Sequence, residues 1–224
     1  GLQFSEMCLA MYSLGKARVR VKERFYYRLL KLMVRKSSLW NEFDMAWILF
    51  AMRRRRLRPY IEEIQEHRLW AKVQLNIAVY FKQKLHNFSP QGIAFILFEF
   101  ARAGVYPGHV VHKALQRVRQ HMPSISDRAL VALSVAVSRF GLPEKRLLKK
   151  LTAEVCQPHR FVRIHPNMLV VVLHSYAKMD MRDKVLLESI CGLLARGCHR
   201  LDPQPLCSLA FSLGRLGVRG PVWK

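Results

Sequence analysis

Ser212-Leu-Gly-Arg-Leu-Gly-Val218, Ala136-Val-Ser-Arg-Phe-Gly-Leu142 and Glu99-Phe-Ala-Arg-Ala-Gly-Val105 are three versions of one string, with a central arginine two residues before a glycine. Sliding the chain on itself adds three weaker copies: Ser13-Leu-Gly-Lys-Ala-Arg-Val19, Ala51-Met-Arg-Arg-Arg-Arg-Leu57 and Ser175-Tyr-Ala-Lys-Met-Asp-Met181. One column is basic in all six: Lys16, Arg54, Arg102, Arg139, Lys178 and Arg215. Steps between its members are 38, 48, 37, 39 and 37 residues, a period of about 37 with one insertion of roughly ten in the second repeat. A fixed period in this range marks a repeat architecture, in which one supersecondary unit recurs along the chain.

Each repeat reads as two helices, the first nearly all apolar and the second amphipathic and basic. Helix-start signals recur at one place, as Ser89-Pro90, Ser126-Asp127, His165-Pro166 and Asp202-Pro203. They supply a capping side chain or a proline suited to the first turn. Gly104, Gly141 and Gly217 follow about fourteen residues later, where a left-handed residue ends the helix. Between these signals Leu130, Leu133, Val137 and Phe140 recur at steps of three and four. The apolar run 168–173 imitates a buried strand, and the repeat register assigns it to a helix. The stretch 59–86 reads equally well as one long helix or two short ones.

The expected fold is therefore all-α, an α-solenoid of about six helical hairpins whose apolar faces are buried by stacking. The repeats span 1–38, 39–86, 87–124, 125–163, 164–200 and 201–224, the last one incomplete. No Pro/Gly/Ser-rich linker separates them, which predicts one continuous domain, 1–224. Gly1 reads as a processed or observed boundary. At the other end, the sixth first helix, with Leu206, Leu209, Phe211, Leu213 and Leu216, is expected to be covered by further chain or another macromolecule.

Composition narrows the function classes. The 224 residues hold 38 Lys+Arg against 15 Asp+Glu, a net charge of +23, which is the balance of a polyanion binder. At 51% apolar residues the chain has material for a core and is not a basic disordered tail. The longest charge-free stretches, 85–98 and 164–177, are 14 residues long, whereas a spanning helix needs about 20. Five cysteines, Cys8, Cys156, Cys191, Cys198 and Cys207, form no Cys-x-x-Cys and are too sparse for a disulfide framework, which points to a reducing interior. Cys191, Cys198, His199 and Cys207 are separated by seven, one and eight residues and read as packed small residues rather than a metal set. With no phosphate loop, no His-Glu-x-x-His, no Gly-x-Ser-x-Gly and few carboxylates, neither catalysis nor a cofactor is expected.

Basic residues form three kinds of constellation. Arg20, Arg24, Arg28, Lys31 and Arg35 follow steps of 4, 4, 3 and 4 and share one helix face, with Tyr27 beside them to stack on a base. Such a row neutralises successive phosphates; the plainer reading is a solvated face, although only Glu23 mixes the sign. Shorter rows are Lys113 and Arg117, with Gln120, and Arg146, Lys149 and Lys150. Stacked second helices would set these rows side by side as a broad basic surface. Arg53, Arg54, Arg55, Arg56 and Arg58 are the densest cluster, and guanidiniums this close repel unless an anion such as phosphate neutralises them; the plainer reading is a solvated basic loop or a leftover targeting-like run. The six-fold basic column falls in the last turn of each first helix, where the helix dipole favours a cation. Helix capping and direct RNA contact both account for it.

Repeats of this length ending in strings such as Ser212-Leu-Gly-Arg-Leu-Gly and Phe100-Ala-Arg-Ala-Gly resemble heptatricopeptide repeats. Similar hairpins occur in octotricopeptide and FAST-kinase-like, RAP-associated proteins. One departure is Arg53, which stands where the other repeats have Gly, Ala or Ser. The resemblance implies RNA binding in mitochondria or chloroplasts. Its leading implication is a structural rRNA-binding component of a mitochondrial ribosome or related matrix ribonucleoprotein, surrounded by neighbouring proteins. A free organellar transcript-stability or processing factor, and a protein-interaction scaffold of HEAT or armadillo type, are the alternatives.

Overall fold

The computed structural model describes residues 4–17, 23–54, 64–142, 144–195 and 201–218. These form an all-α structure, with twelve α-helices and no strand among the described residues. In order they are α1 (Phe4–Ala17), α2 (Glu23–Arg35), α3 (Glu42–Arg54), α4 (Ile64–Lys84), α5 (Pro90–Ala103) and α6 (Val110–Gln120). There follow α7 (Asp127–Phe140), α8 (Lys145–Val155), α9 (Pro158–Phe161), α10 (Pro166–Lys178), α11 (Lys184–Ala195) and α12 (Pro203–Arg215). The apolar run 168–173 lies inside α10, and the described part of 59–86 contains a single helix, α4. No described helix is long and apolar enough to cross a membrane.

Helix starts follow the repeat register. Ser89 Oγ accepts from Gly92 N at 3.0 Å, Ser126 Oγ from Ala129 N at 3.4 Å, and His165 Nδ1 from Asn167 N at 3.3 Å. Asp202 differs: it makes no capping bond to α12, and its carboxylate accepts instead from Asn167 Nδ2 at the start of α10. The second repeat starts on Asn41, whose Oδ1 accepts from Phe43 N and Asp44 N at 2.9 and 2.8 Å. Asp44 Oδ2 accepts in return from Asn41 N at 3.1 Å, closing a reciprocal capping box. Asn41, Ser89, Ser126, His165 and Asp202 are 48, 37, 39 and 37 residues apart, the spacing of the basic column from Arg54 to Arg215.

Helix ends obey the same register. Gly104, Gly141 and Gly217 have φ of 74°, 64° and 62°. In the fifth repeat Asp180 takes this place with φ of 52°, the one non-glycine residue with positive φ among those described. Aspartate visits this region more readily than most side chains.

By its contacts the chain divides into two compact units, Gly1–Ala114 and Leu115–Lys224, with the boundary inside α6. Within the first, α3 packs against both α1 and α5, and α2 against α4. Cys8, Met11, Met45, Ile48, Leu49, Ile93, Ile96 and Leu97 are fully buried there. Asp44 is buried too; it accepts from Ser5 Oγ of α1 at 3.3 Å, and burial raises its carboxyl pKa above the ordinary range. Burial likewise pushes the Cys8 thiol up.

Within the second unit α10 packs against both α7 and α12. Leu130, Leu133, Val137, Leu169, Val170, Val172 and Leu173 have no exposed surface. Two polar networks tie the shorter helices to them. Arg160 of α9, 7% exposed, donates from Nη1 to Ile125 O at 2.9 Å and Asp127 Oδ1 at 3.0 Å, and from Nη2 to Pro123 O. Its Nε lies 3.6 Å from Glu154 Oε2 of α8. A buried guanidinium needs this number of partners to offset its lost hydration. Tyr176 of α10 donates to Leu148 O at 2.8 Å; its hydroxyl lies 3.0 Å from that of Thr152, which donates to Asp183 Oδ2 at 3.0 Å. In α12, Leu209 and Leu213 are buried, as is Leu216 just after it, whereas Leu206 and Phe211 are exposed.

Packing of first helix on first helix gives a direct test. Truncating Leu133 or Leu173 to Ala should destabilise by about 2–5 kcal/mol in chemical denaturation, while Val162→Ala, at an exposed site, should stay within about 0.5 kcal/mol. An unchanged midpoint for Leu133→Ala would contradict the packing of α7 against α10.

Candidate nucleic-acid interface

Exposed basic rows sit on second helices, opposite their buried faces. On α2, Arg28, Lys31 and Arg35 are exposed, and at 100° per residue they lie across the helix from buried Leu30 and Met33. Arg24 continues the row within α2, its side chain lying outside the described residues, as does the whole of Arg20. On α6, Lys113 is exposed and Arg117 half-buried, with Val111, Ala114, Leu115 and Val118 beneath. On α8, Arg146 and Lys149 are exposed and Lys150 half-buried, opposite Leu147, Leu148, Leu151 and Val155. The only acids in these three helices are Glu23 and Glu154, and Glu154 is buried against Arg160. The fifth repeat departs from this: on α11 Lys184 and Glu188 alternate sign and pair at 3.8 Å, both well exposed, an ion pair worth little.

The arginine cluster is described in part. Arg55, Arg56 and Arg58 lie outside the described residues, and Arg54 ends α3 with its side chain outside them. Arg53 has a partner: its Nε is 3.1 Å from Glu99 Oε2 of α5, the two side chains being 16% and 8% exposed. The Arg53 guanidinium also lies 5.1 Å from the centre of the Phe50 ring. Both members break the repeat pattern at once. Arg53 replaces a Gly, Ala or Ser, and Glu99 stands where the other repeats have Ser13, Ala51, Ala136, Ser175 and Ser212. Two charges at neighbouring small-residue positions of adjacent first helices neutralise each other, which accounts for the departure without an external anion.

Lys16, Arg102, Arg139, Lys178 and Arg215 occupy the last turns of α1, α5, α7, α10 and α12, and all are exposed. Arg102 lies over the Phe98 ring at 5.4 Å. Arg215 is held in a fork by Asp180, Nε to Oδ1 at 2.8 Å and Nη2 to Oδ2 at 3.0 Å. That bond holds the Asp180 carboxyl below its ordinary pKa and raises that of Arg215. His174 Nδ1 lies 3.2 Å from Ser212 Oγ. Burial, with Lys178 and Arg215 nearby, lowers the His174 pKa and favours the neutral ring.

No group of three His, Cys, Asp or Glu side chains that could hold a metal ion occurs among the described residues, which exclude Cys198 and His199. No protein-family model and no curated protein matches the chain.

Two predictions separate structural from surface cations. Arg53→Gln removes one charged partner of the buried Glu99 carboxylate and should cost about 1–3 kcal/mol, the double variant with Glu99→Gln should cost less than that single change, and Lys149→Gln should stay within about 0.5 kcal/mol. Equal losses for Arg53→Gln and the double variant would rule out the coupling. Because the folded-state pKa of His174 is lowered from its ordinary 6.5, protonation opposes folding, so its contribution is present above that value and is lost as pH falls through it. The melting temperature of His174→Gln should therefore fall less between about pH 7 and pH 5 than that of the parent chain.

Proposed function

We propose that this chain is an RNA-binding helical-repeat protein in which six hairpins stack as an α-solenoid, and that it serves as a structural rRNA-binding component of a mitochondrial ribosome or a related organellar ribonucleoprotein. The observation that carries RNA binding is the set of exposed cations Arg28, Lys31 and Arg35 on α2, Lys113 on α6, and Arg146 and Lys149 on α8, with Glu23 and Glu154 the only acids in those helices. Rows of this kind hold a phosphate backbone by charge and shape rather than by base identity. The solenoid reading is supported by the common spacing of helix starts and helix ends, and by the packing of successive first helices within each unit. The organellar setting and the ribosomal role rest on the resemblance to heptatricopeptide repeats. No catalytic step is proposed.

Replacing Arg28, Lys31 and Arg35 together with Gln should weaken RNA binding and reduce the salt slope by about 0.7 for each single-strand phosphate left without a cation, with thermal stability unchanged. Arg146→Gln with Lys149→Gln should act in the same direction. Affinity and slope equal to the parent in both variants would remove the phosphate-binding assignment. Mass-spectrometric inventory of what co-sediments with the native protein, before and after nuclease, separates the roles. Ribosomal proteins that depart on nuclease treatment fit the proposal, and partners retained without RNA fit a protein scaffold.

A further inference from the structure

Aligned on the basic column, the position four residues earlier holds Tyr12, Phe50, Phe98, Val135, His174 and Phe211. Five of the six are aromatic, and one helical turn puts each on the same face as the cation that follows it. A core position would bury these side chains, as it does Leu133 and Leu173, and a solvated position would be polar. Here Phe211 is 52% exposed and the other five are half-buried. Part of each ring's surface is taken up within the chain, Arg53 lying over Phe50 and Arg102 over Phe98, and the rest stays open to solvent.

In each unit one pair of column rings from successive repeats is in contact. In the first, Tyr12 and Phe50 have centroids 4.7 Å apart and Tyr12 and Trp47 6.2 Å apart, and Phe43, itself partly exposed, lies 6.4 Å from Trp47. In the second, His174 and Phe211 are 5.6 Å apart. Lys178 and Arg215 follow these two rings, Arg215 shared with Asp180. The same two chemistries, a π-face and a cation one turn away, thus recur from repeat to repeat.

A nucleic-acid single strand repeats a base and a phosphate along its length in the same way. We propose that the outer face of the first helices in each unit is a stacking platform for single-stranded RNA, the rings of this column taking bases and the exposed Lys16, Arg139 and Lys178 of the basic column taking phosphates. This assignment rests on the RNA-binding reading above and adds a second surface to it, since among the rows on α2, α6 and α8 a ring precedes a row cation by four residues within the helix only at Tyr27 and Lys31, and the pairing does not recur from row to row. The basic column then serves the helix dipole and the ligand together. Stacking tolerates any base, so the platform favours unpaired RNA over duplex rather than one sequence over another.

The test uses the whole 224-residue chain, titrated by fluorescence anisotropy with a 12-nucleotide oligouridine, a duplex RNA of equal length, and a strand of equal length carrying abasic sites. Phe98→Leu and Phe211→Leu keep apolar bulk and remove the π-face; each should weaken oligouridine binding about tenfold while changing duplex and abasic-strand binding less than about twofold. Val135→Phe, which fills the gap in the column, should tighten oligouridine binding by several-fold, a gain that failure to fold cannot imitate. The platform is overturned if the Leu variants bind oligouridine like the parent, if they lose all three ligands equally, or if Val135→Phe gains nothing. If the Arg28, Lys31 and Arg35 variant still weakens binding in that case, RNA binding stands and only the stacking face falls. A parent chain that binds none of the three strands would overturn the RNA-binding reading itself.

Discussion

An isolated helical hairpin of this size has too much apolar surface for its own second helix to cover, so first helices pack on first helices. That constraint organises both units. α3 lies against α1 and α5, and α10 lies against α7 and α12, so Ile48 and Leu49, or Leu169 and Leu173, are removed from water. Burial of a single leucine is worth about 1.5–3 kcal/mol, and the repeat multiplies it. Small residues near the last turn, caps at fixed offsets, and charge kept to the outer faces except where partners hold it, as at Asp44, Glu99, Glu154 and Arg160, fit that packing.

Where the pattern is broken, the break is matched one repeat away. Arg53 and Glu99 replace two small residues and meet each other. Asp180 replaces a glycine, and its carboxylate holds Arg215 of the next repeat in a fork. Asp202 leaves its own helix start and accepts from Asn167. His174 meets Ser212, and Ser5 meets Asp44. The sequence separations of these pairs are 46, 35, 35, 38 and 39, close to one repeat in each case. Polar departures in a repeat array are therefore best sought in the homologous turn of the neighbouring repeat, because that is the surface a first helix faces.

The same geometry sorts the chain's many cations by role. Arg160 is consumed by buried carbonyls and carboxylates, Arg53 by Glu99 and Arg215 in large part by Asp180. Arg28, Arg35, Lys113, Arg146 and Lys149 remain on exposed faces. A net charge of +23 does not by itself distinguish these groups, and a count of basic residues overstates the surface open to a polyanion.

The sequence by itself determined the repeat, the helical class, the helix starts at Ser89, Ser126 and His165, the left-handed ends at Gly104, Gly141 and Gly217, and the place of the basic column in the last turn. All of these are local: they depend on bonds and periodicities spanning about four residues, which a linear string displays. The start at Asn41 was equally local and legible, as an Asn-x-x-Asp box. Only the tertiary structure decided that Arg53 faces a carboxylate rather than an anion from outside, that Arg160 is an internal clamp, and that the ring column from Tyr12 to Phe211 stays half-exposed. Those outcomes depend on which side chains a neighbouring helix presents across some 35 residues of intervening chain and on how much water it excludes, and neither quantity is a property of a residue's sequence neighbours.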